Sequence, residues 1–241
     1  MNRGIQTFTS FLSDKTQFIF LDEHLDRLLQ GGDFLFPSYK WKEKKSEIKE
    51  FLKAEFSSMH YYRLAIIDDI LTFTKKPHAP KEPYVQLGNA QSAKVTSLIP
   101  AYVKSANYLW AELELIEAKK RKCDDVVSFD QHQNVTEAST SNIFVILGGK
   151  TILTPKTSSM VLEGVTRRKL IEFLKTQGFV VAEADISKSE LESSREIWLT
   201  NAIQGIRLVE RYEKINMFQD RTIYQSVCKD FGRFGEKFNH E

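Results

Sequence analysis

Between Val126 and Leu153 the chain alternates short β-branched runs with tight turns, and no helix-length segment fits among them. The runs are Val126 to Phe129, Val135 to Glu137, Ile143 to Leu147 and Thr151 to Leu153, separated by the turn Gln131 to Asn134, a small-residue stretch, and Gly148-Gly149. Strands joined by so few residues must be antiparallel neighbours, because a parallel return needs a crossover of a dozen residues or more. The segment therefore predicts an antiparallel sheet rather than a βαβ array. Helices follow it. Thr166 to Thr176 is an amphipathic helix that Gly178 can terminate, and Ser187-Lys-Ser-Glu190 fits a capping box. A buried strand, Ile197 to Leu199, then runs directly into Thr200-Asn201-Ala202.

The N-terminal part mixes its periods. Strands are expected around Ile5 to Leu12 and Phe18 to Leu21, a helix over Glu23 to Leu29, a charged helix over Lys40 to Lys53, and strands at Tyr61 to Ile67 and Leu71 to Phe73. The proline-rich stretch Lys75 to Pro83 is the best linker candidate, followed by a strand near Val95 to Ser97 and a helix from about Ser105 to Lys120. The expected organisation is a small α/β domain over 1–82, a linker and first strand over 83–100, and a larger domain over 101–241.

With 241 residues, 41% of them hydrophobic, the chain can bury a sizeable core. A formal net charge of +2 gives no electrostatic case for nucleic acid or an anionic membrane. The two cysteines, Cys123 and Cys228, form no CxxC pair, and the histidines show no clustered metal-ligand spacing, so no metal is expected. No segment approaches the ~20 apolar residues of a membrane helix, and the expected location is cytoplasmic. GxGxxG, GxxxxGK[ST] and GxSxG are all missing, which removes the main support for Rossmann, P-loop and α/β-hydrolase chemistry.

Three local patterns carry chemistry. Val135-Thr-Glu137-Ala-Ser-Thr-Ser-Asn142-Ile-Phe144 packs small and hydroxyl residues where another group could approach the backbone closely, with Glu137 at its start. Gly164-Val165-Thr166 opens a helix and offers free N–H groups, a hydroxyl and the positive end of a helix dipole, the ingredients of a phosphate site. Lys104 lies at a strand-to-helix junction among apolar and small residues, where desolvation would favour the neutral amine. Taken singly, each also reads as an ordinary surface carboxylate, helix start or lysine.

Their order along the chain narrows the reading. Leu21-Asp-Glu-His-Leu-Asp-Arg27-Leu, Lys104-Ser-Ala-Asn107, Val135 to Phe144, Leu162-Glu-Gly164-Val-Thr-Arg167 and Leu199-Thr-Asn-Ala202 together resemble the class IV aminotransferases, over Gly4 to about Val209. This pyridoxal-phosphate (PLP) family includes D-amino-acid and branched-chain aminotransferases and 4-amino-4-deoxychorismate lyase. The resemblance implies an α+β fold like that of D-amino-acid aminotransferase: a small α/β domain and a larger domain with a barrel-like β core, the cofactor lying between them. It also implies roles. Lys104 would hold PLP as a Schiff base and shuttle protons. Glu137 would hydrogen-bond the pyridine nitrogen and keep the ring an effective electron sink. Arg27 would pair with the phosphate, in a cradle completed by Val165, Thr166, Asn201 and Ala202. A homodimer acting on a small amino substrate is expected, with no nucleic-acid or membrane partner.

Three details bear on the reaction. The tight Lys104-Ser-Ala-Asn107 spacing is that of the lyase and D-amino-acid enzymes. Asn201-Ala202 is similar to the lyases, and Asp68-Asp69 stands where D-amino-acid aminotransferases carry a basic residue. These favour 4-amino-4-deoxychorismate lyase, which makes 4-aminobenzoate and pyruvate for folate synthesis. Against that, Tyr61-Tyr62-Arg63 resembles the Tyr-x-Arg that contacts the substrate carboxylate in branched-chain enzymes, and the Glu-Ala-Ser-Thr-Ser-Asn run is closer to the transaminases. A non-catalytic binding relative is the third alternative, opposed by intact Lys104, Glu137 and Arg27. The family's N-terminal strand hairpin is missing from this chain, which reads Gly4-Ile-Gln-Thr7-Phe-Thr where relatives carry Gly-x-Phe-Glu-Thr-x-Arg. The expected substrate ligands are therefore limited to Arg63 and Thr7.

Overall fold

A computed structural model describes residues 5–80, 82–95, 97–217 and 221–237, with side chains up to Phe231. Gly4, the first residue of the motif region, and Thr96, inside the expected strand 95–97, lie outside the described residues. The chain divides into two compact units, the first holding the residues up to Pro80 with Tyr102–Tyr108, the second residues 82 to Ala101 and Leu109–Phe234.

In the first unit, β1 (Thr7–Leu12), β2 (His60–Ile67) and β3 (Ile70–Pro77) form an antiparallel sheet in that order. Helices α1 (Leu21–Leu35) and α2 (Lys45–Ala54) complete it. Residues Leu25, Leu28 and Leu29 of α1 recur at helical spacing and pack with Phe11, Tyr62, Leu64, Ile66, Trp41 and Leu52 in one core. The expected strand at Phe18 to Leu21 is a single bridge between Ser13 and Phe18, and Leu21 already begins α1. The first turns of the charged segment are 3₁₀ rather than α, over Trp41–Lys44. Buried Trp41 is the anchor there: its indole N–H donates to the Asp68 carbonyl at 3.2 Å.

The second unit holds one mixed sheet, in the order β6 (Val135–Ala138), β5 (Asp125–Phe129), β4 (Tyr84–Asn89), β11 (Gly205–Tyr212), β10 (Glu196–Asn201), β7 (Asn142–Gly148), β8 (Thr151–Pro155) and β9 (Val180–Ala184), with β12 (Ile215–Asn216) against β11. The helices are α3 (Leu109–Lys120), α4 (Val165–Thr176), α5 (Lys188–Glu192) and α6 (Thr222–Lys237). The antiparallel expectation for 126–153 holds for β5–β6 and β7–β8, but β6 and β7 are not hydrogen-bonded neighbours; β7 pairs instead with β10, and β10 with β11, both antiparallel. Strands β4–β5, β4–β11 and β8–β9 are parallel, with α3 crossing from β4 to β5 and α4 from β8 to β9. Strand β4 falls in the segment expected as linker, and no strand occurs at 95 or 97.

In the central strands both faces of this sheet are buried. Ile143, Val145, Ile197 and Leu199 point into one core, while Phe144, Ile146 and Trp198, the residues alternating with them, point into another under α4 and α6. The first core also collects Val135 and Ala138 from the edge strand β6, so the sheet curls until β6 and β7 share an interior. Gly148 and Gly149 turn the β7–β8 hairpin with φ of 144° and 57°, a conformation that favours glycine. Among the described residues, no helix is long and apolar enough to cross a membrane.

Candidate active site

In the first unit the chemistry gathers around the Phe8 ring. Lys104 sits in an irregular segment before α3, and its carbonyl accepts the Phe8 N–H at 2.9 Å while Ser105 bridges to Thr7. This docking against the outer edge of β1 fixes the lysine backbone. Its ammonium donates to the Tyr108 hydroxyl at 2.8 Å and lies 4.9 Å from the Phe8 ring centre. The Arg63 guanidinium stacks on the same ring at 3.8 Å. Among the described residues Arg63 makes no hydrogen bond or ion pair, so its N–H donors remain available.

Arg63 and Thr7, the two expected substrate ligands, are not brought together. In β1 and β2, Ser10 pairs with Arg63 and Thr7 with Ile66. Period 2 then puts Phe8, Ser10 and Arg63 on one face of the sheet and Thr7, Thr9 and Ile66 on the other. Thr7 is 1% exposed, its hydroxyl has no hydrogen-bond partner among the described residues, and a Cβ on Gly31 of α1 would stand 2.8 Å from it. Arg27 reaches that second face, where its NH2 group donates to the Thr9 hydroxyl at 3.3 Å.

In the second unit, Glu137 stands on β6 with both carboxylate oxygens engaged: Oε1 accepts from Lys94 at 2.5 Å and Oε2 from the Leu162 N–H at 2.8 Å. The amide fixes the carboxylate to the loop that leads into α4. Asn142 holds the same loop by donating to the Leu162 carbonyl at 2.8 Å. Gly164 is the α4 N-cap, and no side chain caps that terminus. A Cβ at Gly164 would land on Oδ1 of Asn142, so only glycine lets the loop close here. Val165 and Thr166 follow, both buried. Their N–H groups belong to the first turn, which has no intrahelical acceptors and carries the positive end of the helix dipole.

Asn201 has a more specific job than was expected of it. Its Oδ1 accepts the N–H groups of Ile203 at 3.0 Å and Gln204 at 2.8 Å, and its Nδ2 donates to the Ser141 hydroxyl at 3.0 Å. The side chain is consumed in shaping the turn that contains Ala202, so a ligand there would meet backbone. Beside it, the buried Thr200 hydroxyl has no hydrogen-bond partner among the described residues.

Tyr108 and Lys94 were missed by the sequence reading. Tyr108 is four residues after Lys104 within the same irregular segment, and that nearness along the chain could have found it. Lys94 carries no such signal, because its meeting with Glu137 depends on a contact across 43 positions.

Each unit holds groups of a kind that fits PLP: the first a lysine hydrogen-bonded to a tyrosine hydroxyl, the second a carboxylate held by an amide and a helix N-terminus that no side chain among the described residues caps. The comparisons agree. The family model described as amino-transferase class IV matches residues 6–212. A probable branched-chain-amino-acid aminotransferase from Aquifex aeolicus is 31% identical over 219 residues, covering 82% of this chain and 70% of the relative. An aminodeoxychorismate lyase from Vibrio harveyi is 28% identical over 126 residues, covering 52% of this chain and 46% of the relative. The solved branched-chain aminotransferase of Thermoproteus uzoniensis superposes with a TM-score of 0.85 at 21% identity, over 97% of this chain and 86% of that one. The chain belongs to the class IV aminotransferase family, whose members are PLP-dependent transaminases or lyases.

Proposed function

We propose that the chain is a PLP-dependent amino-acid transaminase that binds its substrate through the α-carboxylate, with Arg63 as receptor. One observation carries this reading: an arginine without an ion pair stacks on the same Phe8 ring that Lys104 approaches. A stacked guanidinium keeps its edge donors in one plane, which suits two-point recognition of a carboxylate. The reading reverses the order of preference that the sequence alone supports, and the branched-chain names among the relatives favour the reversal.

PLP, when bound, supplies a carbonyl for the substrate amine and a ring that withdraws electrons from the neighbouring carbon. Lys104 would attach it and carry the proton moved at that carbon. Tyr108 would orient the amine, and Glu137, braced by the Leu162 amide, would accept a hydrogen bond from the ring nitrogen. The N–H groups of Val165 and Thr166, the backbone of Asn201 and Ala202, and the Arg27 guanidinium would take the phosphate. The exposed face of α3, where Leu109, Leu113 and Ile116 recur at helical spacing, supports the homodimer expectation.

The lyase remains the second reading, favoured by Asn201-Ala202 and by the Vibrio harveyi relative. Leucine or D-alanine with 2-oxoglutarate should yield glutamate, and Arg63→Gln should raise KM for the amino acid at least tenfold with a smaller change in kcat. Pyruvate released from 4-amino-4-deoxychorismate without any keto acid, and no glutamate from amino acids, would overturn the transaminase. Lys104→Ala should abolish the visible absorption of the reconstituted protein.

A further inference from the structure

His24 belongs to the same α1 motif as Arg27, yet the cofactor reading gives it no work. It is three residues before Arg27, so the two side chains lie on one helix face. Its ring is 2% exposed, packed 5.5 Å from the Phe11 ring, with Nδ1 2.7 Å from the Thr9 hydroxyl oxygen. Thr9 is fully buried and also accepts from Arg27 at 3.3 Å.

The direction of these bonds follows from what each group can do. A guanidinium only donates, so Thr9 must present a lone pair to Arg27. Its single proton is then free to go to His24, provided Nδ1 carries a lone pair. The tautomer with its proton on Nδ1 would instead aim a second donor at the same oxygen. With Nδ1 as acceptor, Thr9 keeps its oxygen toward Arg27 and adds a bond that favours one rotamer of this long side chain.

We propose that His24 is a positioning residue: through Thr9 it fixes the Arg27 guanidinium, and so sets how strongly the protein selects phosphorylated over unphosphorylated pyridoxal. This rests on the assignment of Arg27 to the cofactor phosphate. A fixed guanidinium forms its charge-assisted bonds without a further loss of rotamer freedom. A mobile one would bind both aldehydes with less discrimination.

The experiment titrates the apoprotein with pyridoxal phosphate and with pyridoxal, followed by visible absorption, and takes the ratio of the two dissociation constants as readout. His24→Phe keeps the ring packed on Phe11 but removes the acceptor, and Thr9→Val removes the relay from its other end. Each should reduce the ratio about tenfold, the effect of losing one hydrogen bond to a charged group, and Arg27→Met should reduce it further. His24→Asn places an amide oxygen near the former Nδ1. It should keep the ratio within about threefold of wild type while lowering Tm, because the ring packing is gone. A wild-type ratio in both His24→Phe and Thr9→Val, an equal loss in His24→Asn and His24→Phe, or no change in Arg27→Met would overturn the proposal while leaving PLP binding intact. Should His24→Phe not fold, Thr9→Val decides alone. A wild-type protein that develops no absorption with either aldehyde would instead overturn the PLP reading itself.

Discussion

Gly164 shows how one atom's absence shapes the second unit. The Cβ it lacks would overlap Oδ1 of Asn142, which is itself held by its bond to the Leu162 carbonyl, and Leu162 in turn donates to Glu137. Gly164→Ala should therefore expel the Asn142 side chain and leave the Leu162 carbonyl without that donor, at a cost of about 1–3 kcal/mol. Urea denaturation measures this. Asn142→Ala in the same background should cost little more, since the clash is then relieved, and fully additive losses would refute the mechanism. At this scale the sequence was legible only in company. Lys104 and Glu137 taken alone read as surface groups, and the ordered motifs singled them out. Lys94 stayed invisible because pairing across the fold leaves no local trace, and the face that Thr7 takes depends on strand register, which the sequence does not carry.

Elements were legible where the chain carries its own stop and start signals. Ser187 and Glu190 form the expected capping box: the Ser187 N–H donates to Glu190 at 2.8 Å, and the Glu190 N–H donates back to the Ser187 hydroxyl at 3.2 Å. Gly178, at φ 76°, ends α4 as expected. Strand β4 had no comparable signal, since its two inward residues, Val85 and Leu87, are separated by Gln86 and bounded by no strong turn. The capping box yields a prediction with a definite sign. Hydrogen bonds from the Ser187 backbone and then its hydroxyl hold the Glu190 carboxyl below its ordinary value. Its contribution is then present above about pH 4.5 and fades as pH falls through the depressed folded value. The site is exposed, so the charge component is small. Ser187→Ala should cost about 1 kcal/mol at neutral pH, and the difference from wild type should shrink in acid. A difference that is constant from pH 7 to pH 3 would remove the carboxylate from the account.

At the scale of the molecule, both faces of the central strands of the large sheet are buried, which is why Ile197-Trp198-Leu199 and Ile143 to Leu147 read as unbroken apolar runs instead of alternating ones. Parallel pairing leaves no signature in such runs, so β4–β5, β4–β11 and β8–β9 could not be read from sequence. The curl has an electrostatic consequence. Arg207 pairs across the ladder with Leu199, and Asp125 with Leu87, so both charged residues share the face of the inner core. There Arg207 donates to Asp125 at 3.0 Å, and the other Asp125 oxygen accepts from the Val126 and Ser139 N–H groups and from the Ser139 hydroxyl. Arg207 also reaches the Ser141 hydroxyl that Asn201 bonds. Burying two charges costs several kcal/mol per ion before pairing, so such a pair adds little net stability, whereas removing one partner strands the other. Asp125→Leu should cost about 3–5 kcal/mol in urea denaturation. The double variant Asp125→Leu/Arg207→Met should recover most of that loss, because no buried charge is then left alone. Its PLP affinity should still fall, since the 139–141 turn that braces Asn201 would have lost its ionic anchor. A double variant as unstable as the single one would mean that Asp125 acts through its bonds to Ser139 alone.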